Sequence, residues 1–305
     1  MEFFSGYGFN LSHAICYSIL SYQCAYLFYH YPAEWLAAFL DKEPEDKKEA
    51  AISLAKSYGF GIKSLDINSS GTKWEVAADG NTLIQPLSSI KGLGDTAMAE
   101  IMKHRPFNSV EELLFNDNIV YSKLNKKALD ALTRSGAMTN LVDNRFSGLK
   151  HFWSAVVVDR PKNLKKLQEN IEKYKPEGDF TNEENIENLV SLSGVYPINL
   201  VVDAATLKRI EDKYIPPIGD YDKELGEVVW FIPRKINEKK TKNGKMYWML
   251  EVTDITNKIT MIKCWGVNPE KDKIWLNRPY LAKLQYDETW GFSTRSIKHT
   301  FKLLG

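Results

Sequence analysis

From position 13 to 31 the chain is apolar on most sides of a helix, with Ile15, Cys16, Ile19, Leu20, Cys24, Leu27 and Phe28 leaving no polar stripe. A helix apolar nearly all round is expected to be enclosed by its neighbours. Ser12 is the expected N-cap. Tyr31-Pro32-Ala33-Glu34 interrupts the pattern, and Pro32 suits the first turn of a second helix, 34–40. A charged loop leads to a third helix, 47–58, stopped by Gly59. Trp74-Glu75-Val76 and Thr82-Leu83-Ile84 alternate about Asp79-Gly80-Asn81, a hairpin signal. Ile90 then leads into Gly92-Leu93-Gly94, after which Ala97, Met98 and Ile101 share one helical face. Ser109 can cap a helix over 110–115, with Glu112 at capping-box spacing. Asn125 can cap another, whose Ala128, Leu129 and Leu132 face inward and which ends at Gly136. Residues 146–158 read as an apolar helix, 161–176 as charged and polar, and 177–187 as acidic.

From 227 the period changes to two. Strands are expected over 228–232, 247–252, 259–265, 280–285 and 296–303, with Asn243-Gly244 turning the chain before the second. Short strands joined by turns suit a five-stranded OB barrel. The fold class is therefore α+β multidomain, a helical region followed by an all-β barrel.

The 305 residues suffice for two or three domains, and 44% hydrophobic residues support real cores. A formal net charge of +1 means that any nucleic-acid surface is a local basic patch. Cys16, Cys24 and Cys264 show no CxxC and no paired spacing, which argues against a disulfide framework or a zinc site and fits a reducing compartment. Cys16 and Cys24 read as small core residues. No apolar run reaches membrane-spanning length and no leader pattern opens the chain, so a cytoplasmic protein without a membrane partner is expected.

Two features carry candidate chemistry. In the first, paired glycines precede a helix start: glycine permits positive φ and close backbone approach, and the helix offers free amides and the positive end of its dipole. Gly92 and Gly94 with Lys91 thus suit an anion, and a phosphate in particular; taken alone, the glycines serve equally as turn residues. Lys126 and Lys127 open the second helical unit, and Lys103 and Arg105 lie nearby. Two such units in tandem suit a pseudo-twofold clamp on duplex phosphates. In the second feature, Arg234, Lys235, Lys239, Lys240, Lys242 and Lys245 stand against Glu238 alone in an expected loop between the first two strands. Tyr247, Trp248, Trp265, Trp230 and Trp290 interleave nearby and could stack on bases. Tyr247 and Trp248 point to opposite faces, so at most one lies on a given surface. Asp220-Tyr221-Asp222 has metal-binding spacing but sits in a Pro-Gly loop with no strand to hold it.

Several stretches are similar to one family. Phe4-Ser5-Gly6-Tyr7-Gly8-Phe9-Asn10-Leu11-Ser12-His13-Ala14, the Ser21-Tyr22-Gln23 run and His30-Tyr31-Pro32-Ala33-Glu34-Trp35 resemble the fingers of the bacterial replicative DNA polymerase III alpha subunit, family C. Ile90 to Ile101, Leu124 to Met138 and Lys240-Thr241-Lys242-Asn243-Gly244-Lys245 resemble its helix-hairpin-helix and OB segments. Leu11 departs from the family's lysine, which removes a charge contact there. The resemblance implies helical fingers over 1–80, a tandem helix-hairpin-helix region over 81–140, a mixed connector over 141–226 and an OB-fold domain over 227–305. It also places Asn10, Ser12 and His13 near the polymerase cleft; without it, His13 reads as a hydrogen-bonded core histidine.

The family's palm and thumb have no counterpart in these residues. The resemblance therefore implies one portion of a nucleotidyltransferase, inactive alone and without its own cofactor, with Mg2+ bound in the missing palm. The implied partners are primer-template duplex, single-stranded template and a polypeptide carrying palm and thumb. A sliding clamp stays open, because the usual Gln-plus-aromatic peptide is absent. Met1 stands where alpha subunits encoded in two pieces divide, so a natural C-terminal half or a truncated piece is expected. With Gly8 rather than Cys or Ser at the junction, non-covalent assembly is expected. The competing class is a non-enzymatic DNA-binding adaptor derived from the polymerase.

Overall fold

The computed structural model describes residues 10–44, 47–222 and 228–304. Phe4 to Phe9 of the N-terminal motif lie outside the described residues. α1 (Leu11–His30) is capped by Asn10, whose Oδ1 accepts from the Ser12 amide at 3.1 Å. The cap is therefore Asn10 and not Ser12, which lies inside the first turn. α1 buries none of its residues. Leu11 is 73% exposed and Ile15, Ile19, Leu20 and Leu27 are about half exposed, while Cys16 and Cys24 face solvent. The enclosed helix and core cysteines expected from the pattern are corrected here: the surface that would cover α1 is not among the described residues. Only its end packs, where Phe28 meets Trp35 and Tyr58 edge-on at 5.1 and 5.3 Å.

α2 (Pro32–Lys42) starts with Pro32 in its first turn, and α3 (Lys48–Ser57) follows. They bury Leu36, Leu40, Ala51, Ile52 and Ala55 against Leu83. Leu83 belongs to a small sheet of β1 (Gly61–Lys63), β2 (Glu75–Val76) and β3 (Thr82–Ile84), in which β3 is central, antiparallel to β2 as expected and parallel to β1.

α4 (Asp95–His104), α5 (Val110–Phe115), α6 (Lys126–Arg134), α7 (Leu149–Phe152) and α8 (Leu164–Tyr174) share one core that runs from Leu65 to Ile171. A π-helical turn, Trp153–Val158, continues α7 and buries Val156 and Val157. Ser109 caps α5 by accepting from the Glu112 amide at 3.1 Å, but the Glu112 carboxylate accepts from the Asn108 amide at 2.8 Å. Half of the expected capping box forms, because the carboxylate reaches one residue further back.

Glu100 on α4 is buried and ties the two helical units together. It accepts from the Val120 amide at 2.8 Å and faces Lys123 and His104, each at 3.3 Å. The Val120 hydrogen bond, aided by both cations and opposed by burial, holds its carboxyl below the usual range. A carboxyl whose folded pKa lies below the unfolded one stabilises fully above about pH 4.3 and loses that contribution as pH falls through the folded value. Glu100→Gln is thus expected to melt several degrees lower than the parent near neutral pH, with the difference shrinking towards about pH 3. A gap that persists unchanged in acid would remove the carboxylate from the account.

α9 (Asn182–Ser193) carries a full capping box between Thr181 and Glu184, and α10 (Ile198–Val201) and α11 (Ala204–Glu211) follow. Ile186 and Ile210 of these helices, with Tyr196 and Val202 of the segments that join them, pack on Trp230 and Ile232 of β4 (Val228–Lys240). The opposite face of β4 buries Val229 and Phe231 in the β core. A strand covered on both sides needs a continuous apolar run, which is what 228–232 supplies.

β4 pairs with β5 (Met246–Thr253), and β5 with β6 (Thr260–Trp265). β7 (Tyr280–Lys283), β8 (Gln285–Asp287), β9 (Gly291–Thr294) and β10 (Phe301–Leu303) complete a seven-stranded sheet ordered β10-β7-β4-β5-β6-β9-β8. Residues 228–231 of β4 pair with β7 and 232–240 with β5, and the register with β5 shifts between Pro233 and Lys235. A bulge of this kind bends the strand, and the sheet curls into an OB-like half-barrel. The last expected strand is instead a short helix, α12 (Ile297–Thr300), followed by β10, because Ile297 turns into the β core.

Candidate nucleic-acid interface

The hairpin before α4 is built by burial on either side of two exposed glycines. Ile90 and Leu93 are buried, whereas Lys91, Gly92, Gly94, Asp95 and Thr96 are exposed. Gly92 takes φ +90°, a conformation that side chains with a Cβ rarely adopt. Gly94 is extended at φ −81° and serves as the N-cap of α4 without a side chain. Only Gly92 therefore needs glycine for its backbone. The Lys91 amide donates to Leu192 O at 2.9 Å, which fixes the turn against the end of α9. Among the described residues the amides of Gly92 and Gly94 donate to no protein acceptor. Asp95 in the first turn of α4 is the acid nearest these amides in the chain.

The second unit comes to the same place. Asn125 Oδ1 accepts from the Ala128 amide at 3.1 Å and starts α6, leaving Lys126 and Lys127 exposed. A Cβ built on Gly92 would lie 3.6 Å from Lys127 Cε. The turn amides and the Lys127 ammonium stem thus form one surface, although about 35 residues separate them in sequence. Lys126 Nζ donates to Val158 O at 3.3 Å. Arg105 has a structural role instead: its Nη1 donates to Ser70 O at 2.6 Å.

On the β domain the register sorts the side chains. Trp248, Leu250, Val252, Ile262 and Cys264 face the core. Lys239, Tyr247 and Trp265 form one cross-strand row on the other face, with the Tyr247 and Trp265 rings 4.6 Å apart. Asn237, Met249, Lys263 and Ser293 form the next row. Lys263 Nζ donates to Trp290 O at 3.0 Å and sits 5.0 Å from the centre of the exposed Trp290 ring. Lys240, Lys242 and Lys245 are exposed at the end of the hairpin.

Arg234 does not belong to this face. β4 extends to Lys240, so the expected loop shrinks to 241–245 and Arg234 lies at the bulge. Its side chain is 6% exposed, pairs with Glu49 of α3 and stacks 4.2 Å over the Tyr196 ring. Trp230 and Trp248 are also withdrawn, both being buried. Lys263 was not legible as an interface residue, because its position depends on a register that a lone lysine does not signal.

At the N-terminus, Asn10 and Ser12 bond to each other, Ser12 Oγ donating to Asn10 Oδ1 at 2.7 Å. His13 is exposed and lies 4.4 Å from the Tyr17 ring, so it is not a core histidine. Asp220 pairs with Lys258 at 3.1 Å.

A family model described as a helix-hairpin-helix motif matches residues 59–147. The chain is 39% identical over 153 residues to a DNA polymerase III subunit alpha of Xylella fastidiosa, covering 48% of this chain and 13% of that protein. It is 38% identical over 144 residues to that of Thermus aquaticus, covering 45% and 12%. It is similar to DNA polymerase III alpha subunits. With the alpha subunit of Aquifex aeolicus the match is 29% over 310 residues and takes in 99% of this chain and 26% of that one. The chain spans from about an eighth to about a quarter of the length of these polymerase relatives. No helix among the described residues is long and apolar enough to cross a membrane.

Proposed function

We propose that this chain is the C-terminal part of a replicative DNA polymerase III alpha subunit, and that it holds primer-template duplex and single-stranded template for synthesis by a palm on another polypeptide. The observation that carries the reading is that Lys127 lies beside Gly92, whose amide, like that of Gly94, meets no protein acceptor among the described residues. Unpaired amides with a cation beside them suit a phosphate diester and ignore base identity. The Lys239–Tyr247–Trp265 row supports the single-strand role, since rings stack on any base and lysines track the backbone. Lys91, Lys126, Lys240, Lys242 and Lys245 would add phosphate contacts.

α1 supports the partner. Its 20 residues include no Asp, Glu, Lys or Arg, and it is exposed along its length. A helix apolar on every side needs cover on more than one side, which a cleft in a larger protein provides better than a second copy pairing along one stripe. Asn10, Ser12 and His13 at its start would then enter the polymerase cleft. Among the described residues no three of His, Cys, Asp and Glu converge as metal ligands, and the role proposed for this chain is binding. The Mg2+ ions that nucleotidyl transfer needs would be held by the partner's carboxylates.

Mixing the chain with a polypeptide carrying palm and thumb tests the reading. Co-elution and primer extension that requires both polypeptides are expected. DNA binding without complex or extension would favour an adaptor, and a complex that forms without any DNA binding would refute the assignment of the Gly92 turn.

A further inference from the structure

The loop 116–124, which joins α5 to α6, lines with the segment 160–165 an open cavity of about 810 Å³. That volume lies within the roughly 300–1,000 Å³ of small-ligand pockets. Phe115 and Tyr121 give it aromatic surface, and Arg160, Lys162 and Lys165 give it positive charge against Asp117 alone. The neighbouring Lys166 and Lys173 share Asp159 at 3.7 and 3.3 Å, and Lys166 also lies 4.0 Å from Glu169. Lys162 and Lys165 are exposed and meet no carboxylate among the described residues. The Tyr121 ring is fixed: its hydroxyl donates to Asn116 O at 3.1 Å, and the Arg160 guanidinium lies 5.2 Å from its centre. Arg160 Nη1 donates to Leu124 O at 3.3 Å, which leaves most of its five donors free.

Three contacts link the cavity to the Gly92 turn through the start of α6, with Asp159 standing between Val158 and Arg160 in the chain. Lys127 covers Gly92, Lys126 reaches Val158 O, and Arg160 reaches back to Leu124 beside Asn125. A strand that leaves the turn along these cations meets the cavity next. A paired base is stacked and cannot present its face to Phe115 or to the Arg160 guanidinium over Tyr121, whereas an unpaired one can.

We propose that this cavity takes a nucleoside phosphate, namely the first unpaired nucleotide of a DNA strand whose paired part lies on the Gly92 turn. The base lies along Phe115 and the Arg160 guanidinium that covers the Tyr121 ring, and its phosphates face Lys162 and Lys165. The inference rests on the duplex role proposed for that turn.

The test uses the full chain and a duplex bearing a short single-stranded extension with 5-iodouracil at the first unpaired position. Irradiation is expected to crosslink that base to Tyr121 or Phe115; a crosslink at Tyr247 or Trp265 would assign the extension to the β face and overturn the proposal. In anisotropy titrations, Lys162→Gln with Lys165→Gln is expected to weaken binding of the extended duplex about fivefold. Its salt slope should fall by about two, while blunt-duplex affinity changes less than about twofold. Equal losses on both duplexes would place the two lysines on the paired part and refute the cavity assignment. Competition by free deoxynucleoside monophosphate at micromolar concentration would make the site one for free nucleotide and overturn the strand. A parent protein that binds no duplex refutes the duplex role and this inference together. One that binds blunt and extended duplex alike refutes this inference alone.

Discussion

Gly92→Val is expected to weaken duplex binding by about one to two orders of magnitude while binding of single strands by the β domain is retained. At φ +90° a β-branched residue is strained by about 1–3 kcal/mol, and the turn relieves that strain by rotating its peptide planes. Rotation turns the Gly92 and Gly94 amides away from a shared acceptor. A hydrogen bond to a charged group contributes about 1.5–3 kcal/mol, so losing one or two of them accounts for the expected fall. The new methyl groups also crowd Lys127, whose Cε lies 3.6 Å from the Cβ position. Gly94→Ala is the sharp comparison. Gly94 has negative φ and nothing within 4 Å of its Cβ position, so duplex affinity should fall by less than about threefold, even though Ala is a poorer N-cap than Gly and costs α4 up to about 1 kcal/mol of helix stability. Titrations of both proteins with blunt duplex and with single strand decide the matter. Parallel losses on the two ligands would mean that the turn is only architectural.

Glu49→Ala is expected to destabilise the chain by about 2 kcal/mol, less than the loss of a partner from a fully buried ion pair, because Glu49 itself is 29% exposed. The Arg234 side chain is 6% exposed, and burial lowers its pKa. Its Nε and Nη1 have no hydrogen-bond partner among the described residues, so Glu49, the Tyr196 ring and the charge of Glu251 are its compensation. Without Glu49 the guanidinium stays charged, desolvated and unpaired, or it drags water between α3 and β4. Replacing both residues, Glu49→Leu with Arg234→Met, should recover most of the loss, since an apolar pair of similar volume has no charge to desolvate. Urea unfolding of the parent, the single and the double variant gives the comparison. A single variant within about 0.5 kcal/mol of the parent would show that the pair is solvated.

Much of the local structure could be read directly from the chain. Pro32 starts α2, Asn125 and Ser109 cap α6 and α5, and Trp74 to Ile84 forms a hairpin, because each depends on residues within a few positions of one another. The Gly92 turn was legible for the same reason, as was the opposition of Tyr247 and Trp248, which needs only the alternation of a strand. Arg234 shows where local reasoning stops. Its basic neighbours suggested a loop, but β4 continues through them to pair with β5 as far as Lys240, and that length depends on the partner strand.

The sequence by itself determined the helical and β regions, the caps and the exposed glycine turn, since period, propensity and capping are short-range properties. Tertiary structure alone decided that Lys127 lies over Gly92, that Lys239, Tyr247 and Trp265 share a row, and that Arg234 faces Glu49. These are contacts between segments distant in the chain, and the packing that creates them leaves no mark on either segment alone. α1 lies beyond both: its composition demands cover, and the covering surface is not among the described residues.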